Sequence, residues 1–270
     1  MGKAGLLLLT GMLLLGLYSA LFAGDAHRVP SGKALEAPNF HHPLGTDDLG
    51  IDLLAQLAHG AGVSIFVGLG TAFLAGIGGS VLGIVAGHYG RWIDRFVMGL
   101  CDMMIVIPHF PMMILFATYF GPSLKNIILV ITLLSWTRPA RIVRTRILSL
   151  QHENYIRAAK SYGAGFWHLT LRHFMPAVAP LMMVNALRII SHAIIAEAGL
   201  SFLGLGDPLS KSWGVILNRS INFPGIYFTD YWKWWVLSPL TCLIILVLSI
   251  AFISRDLEGI FNHTIKRGNP

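Results

Sequence analysis

Charge is what this sequence has least of. Of its 270 residues only 12% are Asp, Glu, Lys or Arg, about half the share of an ordinary soluble domain. So little charge cannot cover a water-facing surface, which excludes a free globular domain. Cysteine is almost missing as well. Cys101 and Cys242 are the only two, and each lies in or beside an apolar run, so neither a disulfide framework nor a metal–thiolate site follows. No G-x-x-x-x-G-K-[ST] loop occurs, so this chain does not hold ATP in P-loop fashion. G-x-S-x-G and H-E-x-x-H are absent, and Ser191 and His192, being adjacent, do not face each other on a helix. No catalytic residue, cofactor site or metal site is therefore expected in the chain itself.

What fills the sequence is apolar: 54% of residues, with a mean hydropathy of +0.65, gathered into long runs. The expected fold class is all-α, a polytopic membrane protein of about six transmembrane helices. A net charge of +7 would also suit nucleic acid, but the basic residues sit between the apolar runs, as on a cytoplasmic membrane face.

Ala4–Ala23 is long enough to cross a bilayer core of about 30 Å. A cleaved signal peptide ending at Ala23-Gly24 is the alternative, and the length of the run favours a retained span. Residues 1–58 are thus expected to form a first span and an extracytoplasmic segment, and residues 59–270 the core. The outer segment, Asp25–Leu57, contains His42-Pro43-Leu44-Gly45-Thr46-Asp47-Asp48-Leu49-Gly50-Ile51-Asp52. Gly45 and Gly50 punctuate turns there, and Asp47 or Asp48 is expected to cap the next helix. The His and Asp content lacks a defined metal-ligand spacing.

A second span is expected over Val63–Ala86, where Gly79, Gly83 and Gly87 lie four apart, as do Gly68, Ala72 and Gly76. That spacing suits close helix packing within one subunit. A third span, Phe96–Phe120, is interrupted by Pro108 and Pro111, which should kink it or open its backbone. A fourth runs from Asn126 toward Ile142. Arg138, Arg141, Arg144 and Arg146 then arrive almost without acids, which places this end in the cytoplasm. The fifth span, Pro176–Leu203, carries Asn185, Arg188 and His192 on one helical face, with Glu197 and Ser201 further along. Ionisable groups facing lipid are costly, so these line a polar path or pair with neighbouring spans. Trp232, Trp234 and Trp235 suggest an interfacial belt before the sixth span, Val236–Ile253. Arg255, Lys266 and Arg267 put the tail in the cytoplasm.

Between the fourth and fifth spans lies the longest stretch that is not membrane-like, Glu153–Pro176. Tyr155, Ala158, Ala159, Tyr162 and Phe166 recur on one helical face. Ala158 and Ala159 leave the backbone open to close approach, and Gly163 and Gly165 permit a sharp helix end. Such a helix either docks on another protein or lies on anionic lipid. The arrangement of Tyr155, Arg157-Ala158-Ala159, Gly163, His173 and Pro176 resembles the EAA loop of ABC importer permeases. His42–Asp52 is similar to the HPLGTDxxGRD signature of the peptide and nickel branch, with Ile51 where an Arg is usual. Glu197–Gly206 with Ser212-Trp213-Gly214 is similar to that branch's ExxLSFLGLG…SWG segment.

The resemblance implies a type I ABC importer permease fold with a coupling loop at about residues 138–175. Glu153, Tyr155, Arg157, Ala158, Ala159 and Gly163 would contact the ATPase, and Asn185, Arg188, His192, Glu197 and Ser201 would line the path or gate. Arg188 and His192 depart from the family's mostly apolar run and hint at an anionic group on the cargo. The resemblance further implies two ABC ATPase subunits carrying ATP and Mg, a second permease subunit, and an extracytoplasmic substrate-binding protein. The location it implies is the bacterial or archaeal inner membrane, with both termini cytoplasmic. The branch carries peptides, nickel or metal chelates. An ion-coupled secondary transporter using Arg188 and Glu197 as a relay is the alternative, though no internal repeat is visible.

Overall fold

Helix α2 (Leu53–Tyr89) is the axis of the computed structural model, which describes residues 2–267 apart from Ala20, Phe22 and Ala23, and residues 260–267 as backbone only. The proposed cleavage site at Ala23 and the side chains of Lys266 and Arg267 therefore lie outside the described residues. The helix starts at Asp52, whose carboxylate accepts from the Leu54 N–H at 2.8 Å and satisfies an otherwise open donor. The cap is thus Asp52, not Asp47 or Asp48. With 37 residues α2 is roughly 55 Å long, well beyond a hydrocarbon core of about 30 Å. It begins ten residues before the expected span, and Gln56 in its first turn is buried and bonds Asp47 of the preceding loop.

Two glycine rows decide what lies against α2. On one face Gly79, Gly83 and Gly87 meet α6 (Thr137–Gln151). A Cβ on Gly83 would stand 2.5 Å from the Ala140 carbonyl oxygen, one on Gly87 2.7 Å from Ile147 Cβ, and one on Gly79 would collide with the Trp136 carbonyl. The expected close packing within one subunit is realised here. On another face Gly68 lies against Ile190 of α9 (Met175–Phe202), where an added Cβ would come within 2.8 Å. Gly76, in the same sequence row as Gly68, faces open space.

The third expected span is broken rather than kinked. Helix α3 (Arg91–Val106) and α4 (His109–Phe120) meet at 92°. Pro108 forces Ile107 into extended backbone (φ −73°, ψ 127°), since the proline ring disfavours the helical region for the residue before it. Gly121, with φ 82°, turns α4 into α5 (Leu124–Ser135). Trp136 keeps helical angles between α5 and α6, so Leu124–Gln151 passes as one 28-residue element.

After α7 (Asn154–Ser161), the short α8 (Phe166–Leu169), a π-helical turn (Thr170–Phe174) and α9 run on as one 37-residue helix, Phe166–Phe202. Pro176 and Pro180 lack an N–H and crowd the preceding turn. The ladder widens just before them, with the Met175 N–H reaching the Thr170 carbonyl, a local i→i−5 bond. Then come α10 (Trp213–Ile221), α11 (Trp232–Trp235) and α12 (Leu237–Arg267). Helix α1 (Gly2–Tyr18) packs along α12, with the Gly2 N–H donating to Asp256 Oδ2 at 2.8 Å.

Four helical elements are long and apolar enough to cross a membrane, five with the bent α3–α4 pair. The 17-residue α1 is apolar but shorter. That is close to the expected six, and the fold is all-α, with no strand among the described residues beyond one isolated Thr46–Asp52 bridge. The tryptophans correct an expectation. Trp235 is fully buried against Phe223, and Trp234 lies against Gly45, leaving only Trp232 exposed. Trp234 and Trp235 therefore join a core instead of a belt.

Gly83→Val should force α2 and α6 apart. Overpacking of this kind costs about 1–3 kcal/mol, and thermal unfolding of the detergent-purified protein should show a lowered midpoint, whereas Gly76→Val should leave it near wild type.

Candidate functional site

Three groups of candidate residues can be followed from α7 to the far end of α9. At the first, α7 starts at Glu153, whose carbonyl accepts from the Ile156 and Arg157 N–H groups at 3.1 Å, while its side chain is exposed. The helix ends at Gly163 with φ 85°. The Ala164 N–H returns to the Ala159 carbonyl at 3.0 Å and the Gly163 N–H to Lys160 at 2.9 Å, the double closure of a glycine C-cap. Gly165, at φ −77°, needs no such freedom.

The expected single face divides in two. Tyr155, Ala158 and Tyr162 point to solvent, Tyr162 being 92% exposed. Ala159 and Phe166 turn inward to a cluster of Ile147, Leu150, Leu169, Phe174 and Val178. Its anchor is Ile156, completely buried, a residue that the outward pattern did not mark. Lys160 Nζ donates to Gln151 Oε1 at 2.9 Å, and Gln151 Nε2 donates to the Gly87 carbonyl. The knob is thus fixed to α2, α6 and the long helix at once, with Arg157 left exposed beside His152.

The second group sits on a cavity of about 140 Å³ at the broken span. Asn185, Arg188 and His192 of α9 line it, as expected from their shared face, together with His109 at the start of α4 and Arg138 in the first turn of α6. Arg188, His192 and Arg138 are exposed at its mouth, and Asn185 is buried. Arg188 is already paired, its Nε donating at 2.9 Å and its Nη2 at 2.5 Å to Glu258 Oε1 of α12. The arginine row also has acids after all. Arg144 grips both oxygens of Asp94 at 2.7 and 2.5 Å, and Arg141 pairs with Asp102. Both acids belong to α3, 50 and 39 residues away in sequence.

The third group closes the other end. Glu197 is buried and accepts from Ser201 Oγ at 2.6 Å. Gly204, at φ 83°, ends α9 as Gly163 ends α7. Gly206 and Gly214 press on Ser201, where a Cβ on Gly214 would come within 2.7 Å of Ser201 Cβ. Trp213 is fully buried, donates from Nε1 to the Leu57 carbonyl at 2.9 Å, and fills the space left by Gly60. So Glu197 and Ser201 do not share the cavity of Asn185, Arg188 and His192. They tie the end of α9 to α10, and Trp213 carries the tie on to α2.

The loop signature completes this clamp. Asp47 is buried, with Oδ1 accepting from the Leu49 and Ile51 N–H groups at 2.9 Å and Oδ2 from Gln56 Nε2 at 2.9 Å. Gly45 and Gly50, both at φ 76°, form the expected turns. Ile51 is buried, and Arg219 of α10 binds Asp48 at 2.9 Å, so an arginine distant in sequence supplies the loop's ion pair. Burial, with Arg219 nearby, holds the Lys211 ammonium below its usual range.

With this geometry in place, comparison with known proteins is direct. Residues 79–267 match the family described as binding-protein-dependent transport system inner membrane component. A protein of Brucella suis biovar 1 named as a peptide permease is 34% identical over 227 residues, covering 84% of this chain and 74% of that protein. The dipeptide transport system permease protein DppC of Alkalihalophilus pseudofirmus is 31% identical over 266 residues, covering 97% of this chain and 85% of that one. The chain belongs to the binding-protein-dependent transport family, the inner-membrane permeases of ABC importers.

Ile156→Ala removes the anchor of α7. A Leu or Ile truncation in a packed site costs about 2–5 kcal/mol, so limited proteolysis should cut between residues 152 and 165 much faster than in wild type while cleavage elsewhere stays unchanged.

Proposed function

We propose that this chain is one of two permease subunits of a peptide importer and that α7 is the contact through which partner ATPases move it. The observation that carries the reading is the combination of an outward Tyr155–Ala158–Tyr162 face with a buried Ile156 anchor on the same short helix. A helix lying on lipid would turn its apolar anchor toward the membrane and its charges away. Here the anchor goes into the protein and small and aromatic groups remain outside, as a groove on another protein requires. Glu153, Arg157 and Lys160 frame that face, and Gly163 stops the helix where the partner's surface would end.

In this reading α7 and both termini lie in the cytoplasm, and the clamp built on Asp47 and the Asp48–Arg219 pair faces the extracytoplasmic binding protein. ATP binding closes the two ATPase subunits and carries α7 with them. Because Phe166–Phe202 is a single long helix, the movement reaches Glu197 and Ser201 at the opposite end, and the path opens to the other side. Hydrolysis, performed by the partners with ATP and Mg, restores the first state. A shift of this kind needs contacts that differ between the two states, and α7 supplies them on the ATPase side. Peptide is the preferred cargo because the relatives are named as peptide and dipeptide permeases. Nickel or another chelated metal is the other cargo considered.

Ala158→Asp places a charge on the docking face without touching the Ile156 anchor. The tagged variant should insert in the membrane at wild-type levels, lose its ATPase partners on co-purification, and lose uptake. Co-purification at wild-type levels would remove α7 from the ATPase contact, and a wild-type preparation without any ATPase would favour an ion-coupled carrier.

A further inference from the structure

The cavity between α4, α6 and α9 has an unusual charge content. Two arginines and two histidines line it, and no acid does. Glu258 approaches Arg188 from outside, and both of its bonds use one carboxylate oxygen, leaving further guanidinium donors of Arg188 free. Arg138 makes no side-chain hydrogen bond or ion pair among the described residues. His109 Nε2 is buried and has no partner there either. Asn185 spends one amide hydrogen on the Leu181 carbonyl at 2.8 Å and has a second to offer.

Cations exposed at a cavity mouth of a membrane protein cannot face lipid, so this side of the chain looks onto water or another subunit. A cavity with low-dielectric walls and charge of one sign concentrates ions of the other sign. Its size of about 140 Å³ holds a carboxylate with a few waters, not a whole peptide. The break at Pro108 is what delivers His109 to this place, since an unbroken helix would carry residue 109 past it.

We propose that this cavity is a carboxylate-binding station on the translocation path, with Arg138 as the principal charge and His109, Asn185 and His192 as hydrogen-bonding partners. Arg188 is shared between Glu258 and the passing anion. The proposal rests on the reading of the chain as a peptide permease and names the part of the cargo that this chain itself reads. The same anionic chemistry could come from a lipid phosphate, and the experiment separates the two sources.

The test uses the assembled transporter in vesicles, with Cys101 and Cys242 replaced by serine and Ser135→Cys introduced in the cavity wall. Alkylthiolation rates are compared for a sulfonate-bearing and an ammonium-bearing methanethiosulfonate, each normalised to a free thiol. The sulfonate reagent should be favoured about tenfold or more, the scale of focusing by a single-sign cleft. Arg138→Gln should abolish the preference and Arg138→Lys retain it. Trialanine should protect the thiol and trialanine amide should not, equally in vesicles with and without anionic lipid. The absence of anion preference, or equal protection by the amide, overturns the proposal. Blocking that appears only with anionic lipid assigns the cavity to a headgroup and overturns the cargo role. ATPase co-purification is scored in the same preparation, so failure of the permease reading is visible separately.

Discussion

The close approach of α2 to α6 is the contact on which the rest of the structure depends. Without hydrophobic force between helices in lipid, association relies on packing and on polar ties. Gly79, Gly83 and Gly87 bring the backbones together so closely that the carbonyl oxygens of Trp136 and Ala140 and the Cβ of Ile147 occupy the space where α2 side chains would be. Once α6 is seated, Gln151 reaches the end of α2, Lys160 reaches Gln151, and Ile156 finds a pocket made partly by α6. The knob is thus held by the seam. The opposite end of α2 uses the same device, Gly60 admitting Trp213.

Charge is the second constraint, and it is handled by pairing. Arg144 and Asp94, both partly buried, pair between α6 and α3, and the more exposed Arg141–Asp102 pair adds a second tie, so α3 stays with α6 despite the break at Pro108. The 92° bend then costs the bundle little, because α3 is tied by charge and α4 packs through Met113 and Ala117 against Ile127, Ile131 and Leu134 of α5. Arg138, His109 and His192 meet Arg188 and Asn185 at one cavity.

Much of this was legible in residue order, and the reasons for the rest are physical. Glycines four apart at Gly79, Gly83 and Gly87, a proline pair inside an apolar run, and a glycine after an alanine-rich turn are local signals, and each produced the element that it announces, whereas Gly76 of the second row meets nothing. Pairings across 39 to 70 residues leave no local trace, so the acids opposite Arg141, Arg144 and Arg188 could not be read, and the arginine row looked bare. Ile156 leaves no signal in residue order because a single buried residue on a short helix makes no periodic pattern. The tryptophans misled for the opposite reason. Aromatics near the end of a span are the usual sign of an interface, yet Trp234 and Trp235 are drawn into the core by Gly45 and Phe223. Glu197 and Ser201 share a face with no cavity residue, and only the approach of Gly206 and Gly214 explains their burial.

Transmission from one end to the other through one continuous helix is the claim that joins these parts. It is tested most directly by spin labels at Tyr162 and Leu203, both exposed, in the assembled transporter lacking its two native cysteines. Pulsed electron resonance would measure their separation with and without an ATP analogue. The account predicts a separation constant to within a helix shift of about 2 Å, as α7 and the far end of α9 move together. A change of a full helical turn, about 5 Å, would mean that the chain bends between knob and clamp, and the lever would have to be abandoned.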